Sequence, residues 1–266
     1  MNQYLIRTVG IILCWLLTLN SYGQRTRLSD YNAIGWYTYN GDHKLGKKWA
    51  LHTEYQWRRV DYIRSWMQSL IRVGVAHEMS NKLKLAGGYT SLTTYPFGEH
   101  PRANLGQPTP EHRIYQDVEL SQQSGRVSLS HRFRLEQRFQ GQLNENNPNQ
   151  VDNWQYANRA RYQISGQIAL KGRQVSDGQF NLNFFDELFI GFGPNVVENV
   201  FDQNRISGGI GYQVTDNFQI ELNYLNQIFQ QSDTVNGQSV FEYNNGFRLN
   251  VNYNINLTKK KASSNP

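Results

Sequence analysis

Hydrophobic and polar residues alternate along most of this chain, and the stretch Arg126–Phe139 shows the pattern most clearly. Val127, Leu129, His131, Phe133 and Leu135 form one row; Ser128, Ser130, Arg132, Arg134, Glu136 and Arg138 form the other. Successive side chains of a strand point to opposite faces, so this stretch is a strand with one apolar and one charged face. The pattern recurs in Ala33–Tyr39, Lys48–Arg58, Trp66–His77, Lys82–Thr93, Glu111–Gln122, Asn153–Ser165, Gln179–Phe192, Gln203–Val214, Phe218–Gln230 and Asn245–Leu257. Most of these runs are about twice the usual five or six residues of a globular strand. Within Lys48–Arg58, Trp49 and Trp57 share the apolar row. At about 3.3 Å per residue and a tilt of about 40° they stand roughly 20 Å apart in height, the separation of two interfacial aromatic girdles.

The N-terminus reads as a targeting segment. Arg7 is followed by the apolar run Val9–Leu19, too short to span a bilayer as a helix, and Ser21-Tyr22-Gly23 supplies small residues at a cleavage site. Residues 1–23 are therefore expected to be a signal peptide, 24–258 a barrel and 259–266 a basic polar tail. Removing 23 of 266 residues also removes Cys14, the one cysteine, and leaves 26 basic against 21 acidic residues. A mature chain without cysteine has no disulfide, thiol nucleophile or thiolate metal site. The charge excess is spread along the chain and forms no nucleic-acid stripe. No later apolar run approaches a membrane helix, aromatics reach 13% and prolines number seven. Export, aromatic abundance and period-two alternation together predict an all-β, transmembrane, antiparallel up-and-down barrel in a bacterial outer membrane. Its partners would be outer-membrane lipid, the barrel-assembly machinery and small anions.

Glu78–Asn81, Gln123–Arg126 and Thr215–Asn217 read as tight turns, whereas Thr94–Pro110, Gln140–Asp152 and Gln231–Val240 read as long loops. Long loops belong outside and short turns in the periplasm. The count is eleven strands; because bacterial single-chain barrels have an even number, Gln24–Asn32 is expected to add a twelfth, with ten as the alternative. A two-residue turn at Ser124-Gly125 would pair Asp117 with Arg132, Arg113 with Glu136 and Glu111 with Arg138.

The inward rows carry the candidate site, a lumen charge network of Glu54, Arg58, Arg72, Glu111, Arg113, Asp117, Glu119, Arg132, Arg134, Glu136, Arg138, Arg159, Arg161, Glu187, Arg205 and Arg248. Glu221 and Glu242 add further acidic charge. The planar guanidinium fork suits carboxylates, so these side chains should interdigitate and fill the interior. A residual arginine excess would instead favour anions along a narrow path. Catalytic residues are not expected. His131 faces outward, but Ser128 and Ser130 face inward, so no nucleophile shares its face. His52, His77 and His112 look isolated, without a second ligand at metal-like spacing, and neither metal nor cofactor is expected. SGGIGY, Ser207–Tyr212, lies inside a strand and thins a wall rather than cradling phosphate.

Several short patterns fit one family. They are Gly35-Trp36, Lys48-Trp49 with Glu54 and Arg58, Arg72-Val73-Gly74, Gly88-Tyr89, and Glu111 with Arg113 and Gln116. RFRLEQRF (Arg132–Phe139), RARY (Arg159–Tyr162), DELFI (Asp186–Ile190) and QNR (Gln203–Arg205) complete them. With these the chain resembles the exported bacterial proteins grouped as a domain of unknown function, number twenty-four ninety. The resemblance implies a barrel and supplies no activity or site. The sequence thus points to a non-enzymatic, porin-like outer-membrane barrel with a largely filled lumen, acting in the envelope through its long loops. A narrow anion-preferring channel is the alternative, and an outer-membrane hydrolase comes third.

Overall fold

The computed structural model describes residues 27–258 apart from residue 103. The expected signal peptide and basic tail lie outside these residues. Eleven strands follow one another: β1 (Arg27–Lys44), β2 (Trp49–Val60), β3 (Ser65–Glu78), β4 (Leu83–Thr94), β5 (Thr109–Ser124), β6 (Val127–Leu143), β7 (Val151–Ala169), β8 (Gln179–Phe192), β9 (Phe201–Thr215), β10 (Phe218–Val235) and β11 (Gln238–Tyr253). Each strand pairs antiparallel with the next, and β1 closes on β11 in parallel, from Arg27 opposite Ser239 to Asn40 opposite Asn252.

The barrel is closed, all-β and of the transmembrane kind. Each strand exceeds the 9–11 residues or so that a tilted strand needs to cross a bilayer. Closure leaves no sheet edge to face lipid unpaired. The outer wall is a continuous apolar belt that includes Ile71, Val73, Ile114, Phe133, Leu188, Ile210 and Leu222, all exposed. Aromatic contacts flank it at both ends. At the end of the longer loops, Tyr37 meets Trp57 (5.1 Å between ring centroids), Trp57 meets Trp66 (6.0 Å) and Trp66 stacks on Tyr95 (5.1 Å). At the short-turn end, Trp49 packs on His77, Phe180 on Tyr212 and Phe218 on Tyr253. The two tryptophans of β2 thus belong to opposite girdles.

The structure corrects four expectations. There is no twelfth strand among the described residues: residues 27–32 extend β1 itself, which also runs past Tyr39, the expected end of the first strand, to Lys44. The even-number rule fails because the parallel β1–β11 seam lets an odd sheet close. The long loop expected over Gln231–Val240 is a tight turn instead. Asn236 (φ +51°) and Gly237 (φ +74°) both lie in the left-handed region, the geometry of a type I′ hairpin. Finally, the β5–β6 turn is Gly125-Arg126, with Ser124 opposite Val127. Gly125, at φ +57°, sits where a type II′ turn needs positive φ. The register therefore places Glu119 opposite Arg132, Asp117 opposite Arg134 and Arg113 opposite Arg138.

The connection between β4 and β5, the longest in the barrel, turns inward and plugs the long-loop end. Phe97 packs with Ile34, Val60, Met67 and Leu225 in a buried cluster inside the barrel. The backbone N–H of His100 donates to Asp30 (3.1 Å), and Arg102 pairs with Glu242 (2.8 Å).

The parallel seam is open to a direct test. Tyr31 and Tyr243 are paired across it, their rings stacked at 5.1 Å. With no native cysteine after Cys14, cysteines at 31 and 243 should form a disulfide in the folded barrel, while cysteines at 31 and 249 should not. Crosslinking in the reverse order, read on non-reducing gels, excludes this closure.

Candidate functional site

The barrel interior is built by the inward row of every strand, so its chemistry follows largely from which polar residues alternation points inside. Eight of them, with Asp202, form one continuous chain of alternating charge. Arg132 donates to Glu187 (2.7 Å), which also accepts from Arg161 (2.7 Å). Arg161 reaches on to Glu136 (2.7 Å), whose other oxygen accepts from Arg159 (2.6 Å). Arg159 continues to Asp202 (2.8 Å), Asp202 to Arg138 (3.3 Å), Arg138 to Glu111 (2.6 Å) and Glu111 to Arg113 (2.7 Å). Glu136 at its centre is fully buried. Two further pairs stand beside the chain: Arg134 forks onto both oxygens of Asp117 (2.6 and 2.5 Å), and Arg72 holds Glu54. The direct facing of Arg113 and Arg138 would be repulsive alone, but Glu111 accepts from both.

The remaining expected residues lie elsewhere in the lumen. Glu119 pairs with Lys84 (2.8 Å), which also reaches Asp42 (3.5 Å). Arg248 donates to Asn250 (3.2 Å), and Glu221 accepts from Asn250 and Asn252. Arg58 hydrogen-bonds the amides of Gln56 and Gln68. Arg205 approaches Glu187 only to 3.9 Å.

Four features escaped the sequence reading. Asp202 sits out of phase with the inward row of β9. A bulge opposite Phe189 and Ile190 turns it into the lumen, as an extra residue in a strand re-aims a side chain. Aromatic plates inside the barrel are the second. Arg58 and Arg205 lie over Trp36 (4.0 and 4.9 Å to the ring centroid), Arg161 and Arg205 over Phe189 (4.4 and 4.6 Å), and Arg134 over Tyr115 (4.4 Å). The Tyr115 ring has room because Gly74 and Gly88 face each other beneath it; a Cβ on either would strike its hydroxyl. The third is the plug residue Arg102. The fourth is His52, which is not isolated: pairing of β1 with β2 puts Asp42 beside it, at 2.6 Å.

His131 does lie on the outer face, hydrogen-bonded to the Tyr162 hydroxyl (2.9 Å). Among the described residues no cluster of three or more His, Asp or Glu could hold a metal ion.

Two cavities meet this charged waist. The larger, about 860 Å³, runs from the short-turn end and is walled by serines, asparagines and glutamines such as Ser130, Gln163 and Asn183. The smaller, about 100 Å³, lies toward the plug, by Arg102, Asp202 and Phe229. Arg58, Arg113, Arg159 and Arg205 line both and so form the partition between them.

A closed barrel with an apolar outer belt and a salt-bridged interior defines a membrane-embedded β-barrel protein. The chain belongs to the family described as "Protein of unknown function (DUF2490)", whose family model matches residues 34–238. No curated protein matches it. Among solved structures it is similar to the NanC porin in its rhombohedral crystal form, at 12% identity and a TM-score of 0.45, over 83% of this chain and 97% of that one.

Glu136 is the strongest test of the waist. It stands between Arg159 and Arg161 without solvent, and removing one partner of a buried pair costs about 3–5 kcal/mol. Glu136→Gln should lower unfolding stability by about that amount. Arg132→Gln, at the more exposed end of the chain, should cost about 1 kcal/mol or less. Urea unfolding of the lipid-inserted barrel measures both, and equal losses would contradict the arrangement.

Proposed function

We propose that this protein is a non-enzymatic outer-membrane barrel, closed at rest, with an envelope role carried by its long-loop end and its lumen. The observation that carries the reading is the partition: four arginines, of which Arg113 and Arg159 are paired with carboxylates, separate the two cavities. Such a layer would obstruct the passage of a hydrated ion, and the β4–β5 loop would add a second barrier above it. We place it in the bacterial outer membrane because a spanning β-barrel fits the export signal read from the first 23 residues.

A second reading has its own observation. The waist holds more guanidinium groups than carboxylates, and Arg58 has no carboxylate within ion-pair distance among the described residues. If the layer parts, the path it leaves would favour anions.

Planar-bilayer recording separates the two. The intact barrel should show little or no conductance. Replacing Arg113 and Arg159 together by Ala should remove half of the partition and give a measurable leak. A wild-type barrel that conducts steadily and prefers anions would reject the closed reading and establish the second.

A further inference from the structure

We infer that the short-turn cavity is a binding site for a small hydrophilic oxyanion, a phosphate or a carboxylate, held at its floor by Arg58, Arg205 and the indole N–H of Trp36. The inference deepens the reading of the lumen as a closed vestibule and rests on it.

Three observations converge on this floor. The first is charge. Arg58 and Arg205 flank one indole ring, yet Arg58 meets only amide oxygens and Arg205 meets a carboxylate only at 3.9 Å. Elsewhere in the waist each arginine–carboxylate contact is made at hydrogen-bond range. Two cations held together over one ring repel each other, and an anion between them removes that repulsion.

The second is an excess of donors. Nε1 of Trp36 and Nε of Arg205 are both buried and have no acceptor among the described residues. Trp36 is 3% exposed and Arg205 9%. Buried polar groups are nearly always hydrogen-bonded, so two unmatched donors on neighbouring side chains point to an acceptor brought by a ligand. An oxyanion offers several acceptor lone pairs at once and the negative charge the two guanidiniums lack.

The third is access and size. All three side chains line the cavity of about 860 Å³, which is within the range of small-molecule sites. Its upper walls carry hydroxyl and amide groups from Ser128, Ser130, Gln163 and Ser165, which suit a hydroxylated ligand and offer little to an apolar one. Arg113, Arg134, Arg159 and Arg161 are already committed to carboxylates, whereas Arg248, opposite Trp36 across the seam, donates to Asn250, so the free capacity lies at Arg58 and Arg205 with Arg248 beside them.

The test uses the mature barrel refolded in detergent and titrated calorimetrically with inorganic phosphate, with glucuronate as the carboxylate probe, and with glucose as the uncharged match. Phosphate or glucuronate should bind saturably and glucose should not; the tighter of the two anions identifies the oxyanion class. Arg58→Gln and Arg205→Gln should each weaken binding at least tenfold. Trp36→Phe keeps an aromatic face but removes the indole N–H together with the five-membered half of the ring, and should weaken binding several-fold even if an arginine variant folds poorly. Lys171→Gln, on the exposed β7–β8 connection, should change nothing. Heat-modifiable migration on gels checks that each variant is folded. Absence of saturable anion binding, or affinity unchanged in all three floor variants, overturns the site. A barrel that conducts yet binds phosphate at this floor would lose the closed reading and keep the site; a silent barrel that binds neither anion loses only the site.

Discussion

The interior of this barrel depends on arginines that have to be neutralised away from bulk water. Moving a charged group out of water costs several kcal/mol even after relaxation, and one ion pair at about 4 Å returns about 4 kcal/mol at an effective dielectric of 20. A simple pair therefore roughly breaks even. A carboxylate shared by two arginines is desolvated once and attracts twice, and the waist uses this arrangement repeatedly. Glu136 serves Arg159 and Arg161, Asp202 serves Arg138 and Arg159, and Glu111 serves Arg113 and Arg138. Sharing lets fewer carboxylates hold more guanidiniums, and the leftover cations rest on aromatic faces. A guanidinium over Trp36 or Phe189 gains about 0.5–2 kcal/mol without a second buried anion. The mixture of shared acids and ring platforms is what lets so basic an interior be filled.

The outer wall answers a different solvent. Lipid accepts no hydrogen bonds, so the strands must satisfy one another all the way round, and eleven can do so only through one parallel pair. Parallel pairing is slightly weaker per residue. Here it extends over fourteen partners and is reinforced outside by Tyr31 stacked on Tyr243 and by Tyr37 against Phe247. The close approach of the backbones at Gly246, where a Cβ would strike the carbonyl of Ile34, keeps the two strands tight.

Much of this was legible in the sequence because side-chain direction in a strand is binary. Eleven alternating runs became eleven strands, and Arg134, Glu136 and Arg138 face inward as their phase requires. What alternation cannot carry is register. Choosing Gly125-Arg126 rather than Ser124-Gly125 for the β5–β6 turn shifts the facing pairs by two residues without changing any residue's face. The arginines therefore stay in the lumen while every partner changes: Asp117 meets Arg134, not Arg132. The Asn236-Gly237 dipeptide was a sufficient signal for a tight turn, but the polar residues around it read as a loop. Asp202 was hidden for the opposite reason, since a bulge breaks the alternation that would have revealed it. The count of twelve came from a rule about even strand numbers, not from any residue. The ring platforms were hidden because an aromatic residue in a polar row reads as an exception until the arginines above it are in place.

The two ends of the lumen differ in what closes them, and the difference has a direction. Toward the longer loops the barrier is a single connection, held by Arg102 on Glu242, by the His100 amide on Asp30 and by Phe97 in its apolar cluster. Displacing it breaks a few contacts and leaves every strand pairing intact. Between the two cavities stands a nine-residue charge chain drawn from β5, β6, β7, β8 and β9, whose inner members each hold two neighbours and whose ends, Arg132 and Arg113, share their carboxylates with a second arginine. Toward the short turns there is no comparable barrier, only the polar walls of the larger cavity above the floor at Trp36. On the short-turn side Arg58 and Arg205 line the larger cavity together with Lys84, Arg132 and Arg161. A solute entering from the other side must first displace the plug and then meets a layer whose charges already satisfy one another. The arginine excess thus lines the larger, short-turn cavity, and the β4–β5 connection stands on the opposite side of the waist from it.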